Sequence, residues 1–244
     1  MSTISSAQLL LAWEGTFEEQ EPRRGASLLA GCRRDHPDAV ARWSIRDRDR
    51  ALFDLRTQLF GDRAVALVAC PHCGEHLELP LELSLLRPRA QQPPPPFESH
   101  GWTAQVRPPT TDDLVAVAGC GPTDEDAALA ALVERCVESL RRPDGTGAAV
   151  PEAPASVRGL LRLHLAEAVD DVDVELELCC AGCGRDLAAP FDIASFLLDE
   201  VGAWAARLLR DVHVIAGAYG WDEATILALS PRRRRKYLEL IEAT

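Results

Sequence analysis

The stretch VACPHCGEHLEL, Val68 to Leu79, sets a C-x-x-C-G turn between two apolar-rich runs. A second stretch, CAGCGRDLAAPFDI from Cys180 to Ile193, repeats it 110 residues later. At that offset Cys70 matches Cys180, Cys73 matches Cys183, Gly74 matches Gly184, Leu77 matches Leu187 and Pro80 matches Pro190. The flanks of both turns read as strands. Ala64 to Ala69 is a short continuous apolar run, and His76 to Leu83 alternates with Leu77, Leu79, Leu81 and Leu83 on one face. Before the second turn, Val172, Val174, Leu176 and Leu178 alternate with Asp173, Glu175 and Glu177, the pattern of a half-buried strand. Each cysteine pair therefore falls at the tip of a β-hairpin.

Two C-x2-C knuckles supply four thiolates, the donor set of a closed tetrahedral zinc site. The short loop turns both sulfurs of a pair toward one ion, and the following glycine accepts the positive φ that such a turn needs. Cys70, Cys73, Cys180 and Cys183 are the expected ligands, with Zn2+ as a structural cofactor. Disulfides or a redox pair are the ordinary alternatives. A redox C-x-x-C opens a helix, whereas these pairs lie between strands. Cys179 adjoins Cys180, but the register assigns the ligand role to Cys180 and leaves Cys179 in the strand. His72 and His76 flank the first pair and read as exposed turn residues. His164 and His213 stand isolated within helical segments.

The chain of 244 residues has 47% hydrophobic and 26% charged residues, ordinary for a globular protein. Its mean hydropathy of −0.08, with no apolar run long enough to span a bilayer, argues against a membrane segment. The N-terminal MSTISSAQLLLAWEGTFEEQE lacks a basic region and a small-residue cleavage site. The eight cysteines are then expected as reduced thiols in a cytoplasm. A net charge of −12 disfavours nucleic acid as a general partner. No Ser-His-Asp or Cys-His arrangement, Walker loop or G-x-G-x-x-G after a strand is legible, so neither an enzyme nor a small-molecule substrate is expected.

Elsewhere the pattern is helical. Leu9, Leu10, Trp13 and Phe17 space like one helix face, a short helix follows from Arg23 to Cys32, and Ser44 with Asp47 opens a helix that Gly61 ends. The proline-rich RPRAQQPPPPFE reads as a stiff spacer. It divides the chain into residues 1–88, a linker at 89–97, and residues 98–244, expected to form one compact body joined by the zinc. Beyond it Trp102 to Arg107 reads as a strand, Thr110 with Asp113 caps a helix, and Asp124 to Arg141 reads as helix throughout. Pro143 to Pro154 reads as a flexible loop, and a helix carries Leu160, Leu161, Leu163 and Leu165. Phe53, Leu55 and Leu59 match Leu163, Leu165 and Val169 at the same 110-residue offset, which suggests a duplicated helix–strand–knuckle–strand unit. Ile193, Leu197, Val201, Trp204, Leu208, Val212, Ile215 and Tyr219 form one continuous stripe, a long helix ended by Gly220. Asp222 and Ser230-Pro231 cap two more helices. The expected fold is α+β and mainly α-helical, with the two hairpins joined at one zinc-ribbon-like site of four cysteines.

The knuckle CPHCGEHLEL, the segment VRPPTTDDL (Val106 to Leu114), the second knuckle CAGCGRDLAAPFDIASFL and the run LLRDVHVIAGAYGWDEATILALSPRRRRKYLELI (Leu208 to Ile241) occur in that order. In this ordered set the chain resembles the T4-type baseplate hub assembly proteins of contractile phage tails and bacterial contractile injection systems, in a zinc-knuckle-containing branch. The likeness runs from about residue 50 onward. It implies a non-enzymatic role in assembling or completing a baseplate, with hub, spike or tube proteins as partners, and it assigns no catalytic residue. The basic run Arg232 to Lys236 leaves a second reading open, a zinc-ribbon nucleic-acid-binding or regulatory protein.

Overall fold

A computed structural model describes residues 4–90, 95–121, 124–167 and 174–243. Four helices come first: α1 (Ser6–Glu14), α2 (Glu21–Arg33), α3 (Pro37–Ala41) and α4 (Ile45–Phe60). Ser5 and Ser44 cap α1 and α4, each hydroxyl accepting the backbone N–H three residues ahead at 3.1 Å. Phe17 does not continue the face of α1. After Gly15 the N–H groups of Thr16 and Phe17 bond back only three residues, to the carbonyls of Trp13 and Glu14, and this tightening rotates Phe17 off the stripe. Its ring stays 60% exposed.

The first hairpin pairs β1 (Arg63–Ala69) with β2 (His76–Glu82), closing at Ala69 opposite His76. A single turn, α5 (Leu83–Leu86), follows. Its C-cap Arg87 precedes Pro88 and is extended, as the proline ring demands of the residue before it. The residues 89–97 read as a linker lie partly outside the described residues, and the last of them, Phe97, opens β3. Strands β3 (Phe97–Ser99) and β4 (Trp102–Val106) are followed by α6 (Thr111–Gly119), α7 (Glu125–Cys136) and β5 (Val137–Arg141).

The three strands make one antiparallel sheet in the order β3-β4-β5. Here the sequence reading needs correction, because the helix expected to reach Arg141 stops at Cys136. Val137 to Arg141 instead pair with β4, placing Leu140 opposite Ala104 in the core. Without this strand β4 would present an unpaired edge, so tertiary pairing overrides local helix propensity. The loop 143–154 also has internal structure: Arg142 N–H bonds the Thr146 carbonyl, and a 3-10 turn over Val150–Glu152 buries Val150 and Ala153.

Helix α8 (Ala155–Glu167) leads to the second hairpin, β6 (Val174–Cys179) with β7 (Asp186–Phe191). Val169 and Val172, used in the repeat match and the strand pattern, fall outside the described residues. The chain ends in α9 (Ile193–Tyr219), α10 (Glu223–Ala228) and α11 (Pro231–Glu242). Helices α4 and α8 begin 110 residues apart, at Ile45 and Ala155, as do α5 and α9, at Leu83 and Ile193. Unlike α5, α9 runs for 27 residues, because Asp192 caps it through Ala194 and Ser195 and no proline interrupts it.

Apolar cores do not follow the division at the linker. The largest joins Leu28, Leu29 and Leu52 of the first helices to Leu81, Leu176, Phe191, Leu197 and Val201, so both hairpins and the start of α9 pack into one body with the N-terminal helices. A second core, with Trp102, Val106, Leu140, Val157 and Leu161, belongs to the three-stranded sheet, α7 and α8. A third lies under the far half of α9, where Leu208, Val212 and Ile215 meet Ile226 and the inner face of α11. The first two bodies are tied across the chain: Ile45 N–H bonds the Pro109 carbonyl at 2.9 Å, and the buried Arg48 donates to Thr111 Oγ1 at 3.2 Å. No helix among the described residues is long and apolar enough to cross a membrane.

Candidate metal centre

Both knuckles are built alike. In the first, Cys70 N–H bonds the Glu75 carbonyl at 2.8 Å and Gly74 N–H bonds the Cys70 carbonyl at 2.9 Å. In the second, Cys180 bonds Arg185 and Gly184 bonds Cys180, each at 2.8 Å. Gly74 and Gly184 have φ of 76° and 70°, the left-handed conformation that side chains resist. The outcome is two equivalent loops, each with one buried cysteine (Cys70, Cys180) and one exposed (Cys73, Cys183).

The loops meet face to face. Cys70 Sγ lies 3.8 Å from Cys183 Sγ, and Cys73 Sγ lies 3.6 Å from Cys180 Sγ. Under the 110-residue match these two contacts are images of each other. So are two contacts beside them: Arg185 Nη1 lies 3.3 Å from His72 Nδ1, and a Cβ on Gly182 would come within 3.4 Å of the Glu75 side chain. The contacts around the thiol cluster are thus symmetric under the sequence repeat.

All four ligand sulfurs lie within 4.8 Å of one another. The four cysteines are free thiols in this structure, since a disulfide needs sulfurs about 2 Å apart. The spacing suits a metal: with sulfur about 2.3 Å from a tetrahedral zinc, neighbouring sulfurs stand about 3.8 Å apart. Thus the four cysteines named from the sequence come together, and no other group of three or more metal-ligating side chains occurs among the described residues.

Ionisation of Cys70, Cys73 and Cys183 is uneven. Backbone N–H groups, His72 first and then Cys73, draw Cys70 down to about 6 against the opposing effect of desolvation. At Cys73 the Glu75 N–H pulls down, but desolvation and the sulfurs of Cys180, Cys70 and Cys183 outweigh it and push the thiol up to about 12. Cys183 is likewise raised despite the Arg185 N–H. One negative charge is welcome at Cys70 while further ones at Cys73 and Cys183 are opposed, and a cation among the sulfurs would relieve that opposition.

The remaining cysteines have other surroundings. Cys32 and Cys136 are buried, and desolvation pushes both thiols up to about 12, the condition of inert core residues. Cys179 is exposed at the end of β6 opposite Asp186 and is not part of the cluster. His164 Nε2–H donates to the Pro95 carbonyl, 2.9 Å away, and the ring meets Phe97 edge-on. His76 and His213 are exposed.

The chain matches no known protein family, no curated protein and no solved structure.

Proposed function

We propose that this chain is a non-enzymatic structural protein whose two hairpins are stapled by one zinc ion, and that it serves in the assembly of a contractile-injection or phage-tail baseplate. The observation that carries the first part is the four-thiol cluster. Cys70, Cys73, Cys180 and Cys183 would fill all four positions around the ion, leaving none for a water or substrate. Such a centre supplies folding energy and no Lewis-acid chemistry. Tetrahedral thiolate also suits iron. A structural role without redox work favours zinc, and a colourless protein holding one zinc per chain is the expected result of elemental analysis.

The baseplate assignment is supported by the resemblance in the two knuckles, VRPPTTDDL and the C-terminal run. Those segments are structural in the fold. In VRPPTTDDL, Thr110 and Asp113 form a reciprocal capping box on α6, and Asp113 also binds Arg107 and Arg135. In the C-terminal run, Gly220 takes the left-handed conformation that ends α9, and Tyr219, Trp221 and Tyr237 form an aromatic cluster with ring centroids 5.0–5.5 Å apart. Co-purification of the tagged protein from its own cells is the test. Recovery of tube, spike or baseplate proteins supports the assignment, and recovery of nucleic acid, or of nothing, removes it.

A further inference from the structure

In sequence the run Arg232 to Lys236 reads as the solvated arginines of a short terminal helix, with a basic patch as the alternative, but the fold divides it. Helix α11 turns Pro231, Arg234, Arg235 and Leu238 toward α9, while Arg232, Arg233 and Lys236 lie off that face. Arg234 is only 4% exposed and is consumed by structure, donating to the Leu229 carbonyl at 2.7 Å and to Ser6 Oγ at 3.0 Å. Arg235 has a different setting. It joins Arg207 and Arg210 of α9 around a groove of about 470 Å³ whose apolar lining includes Trp204, Leu208 and Leu238.

Arg207, Arg210 and Arg235 are exposed, and none of the three has an ion pair among the described residues. Asp211 also lines the groove, and its charge favours the cation of the buried Arg234. Three open guanidiniums thus converge beside a tryptophan in a chain whose net charge is −12.

We propose that this groove binds an acidic peptide segment of a partner protein, its carboxylates meeting Arg207, Arg210 and Arg235 and an apolar side chain resting on Trp204 and Leu238. Planar guanidinium forks match carboxylates in pairs, and arginine with tryptophan is the usual make-up of an anchoring site. The mixed lining also argues for a peptide. A nucleic-acid track needs a continuous run of cations, and the acidic remainder of the chain repels a long polyanion. This inference rests on the reading of the chain as a protein-binding scaffold and supplies the partner's chemistry. Their failures separate: an R207E/R210E protein that still recovers all its cellular partners sinks the groove and leaves the scaffold standing.

The direct test is fluorescence anisotropy with the full chain and a fluorescein-labelled peptide of alternating glutamate and leucine. R207E/R210E is expected to weaken binding about tenfold or more, whereas R232E/R233E, which removes the same charge off the groove face, leaves it unchanged. The milder R235Q serves as a second groove variant, with melting curves run on all three. Equal weakening by both double variants would mean diffuse attraction and overturn the proposal. So would tighter binding of duplex DNA, no peptide binding by the wild type, or self-association that R207E/R210E abolishes.

Discussion

Arg56 shows how much of this fold depends on single side chains. Its guanidinium is 3% exposed; it grips Glu200 of α9 through two bonds of 2.8 and 2.6 Å and also donates to the carbonyls of Gly61 and Arg63. One residue therefore fixes the end of α4, the start of β1 and the side of α9. Arg56→Ala leaves the partly exposed Glu200 carboxylate and two carbonyls without this partner and should cost about 2–3 kcal/mol, read from urea unfolding midpoints. A loss near zero would show the network to be dispensable. Asp113, 1% exposed, gives a pH signature. Burial opposes its charge, but bonds from Arg107 and Thr110 outweigh that and hold its carboxyl at about 2 against an unfolded value of 3.8. Its contribution is present above about pH 4 and is lost as pH falls toward 2. Allowing for screening at the partly exposed arginines, it amounts to about 1–2 kcal/mol. Asp113→Asn should flatten that acid limb of the stability profile, and an unchanged limb would contradict the network. At the metal centre Cys179→Ser should keep full zinc content while Cys180→Ser loses it; the reverse would reassign the ligand.

At the scale of elements, close approach of α2 and α9 depends on Gly25, where a Cβ would stand 2.7 Å from the Ala194 Cβ. Gly25→Val should push the helices apart and cost about 1–3 kcal/mol, visible as a lower melting temperature. A variant as stable as the wild type would mean that the contact is looser than it stands here. The helix termini were largely legible in sequence because their signals are local: Ser44, Thr110, Asp222 and Ser230 all accept the N–H three residues on. The hairpins were legible because alternation and the C-x-x-C-G turn fix register without reference to anything distant. What escaped was set at long range. Strand β5 hides inside a helical-looking run, since only β4 dictates its pairing. The groove escaped too, because Arg207 and Arg210 meet Arg235 only once α11 has folded back on α9.

Taken as a whole, the molecule joins parts more than 100 residues apart. The first hairpin follows α4 and the second leads into α9, so the thiol cluster lies where the N-terminal helices and the long helix are both committed to the main core. A metal there would restrain the unfolded chain over a long loop and fix the hairpins' mutual orientation in the folded one. Zinc binding is worth about 10–16 kcal/mol in small cysteine-rich domains. Here part of the same work is done by Arg56, by the core under α9 and by the contacts between bodies, so removal of the metal should loosen the protein without abolishing every element. The most direct measurement is the thermal unfolding of the full chain before and after metal stripping by a chelator, followed by zinc addition. A midpoint lower by about 10 °C or more after stripping is expected, restored by zinc and not by magnesium. Superimposable curves before and after stripping would contradict it.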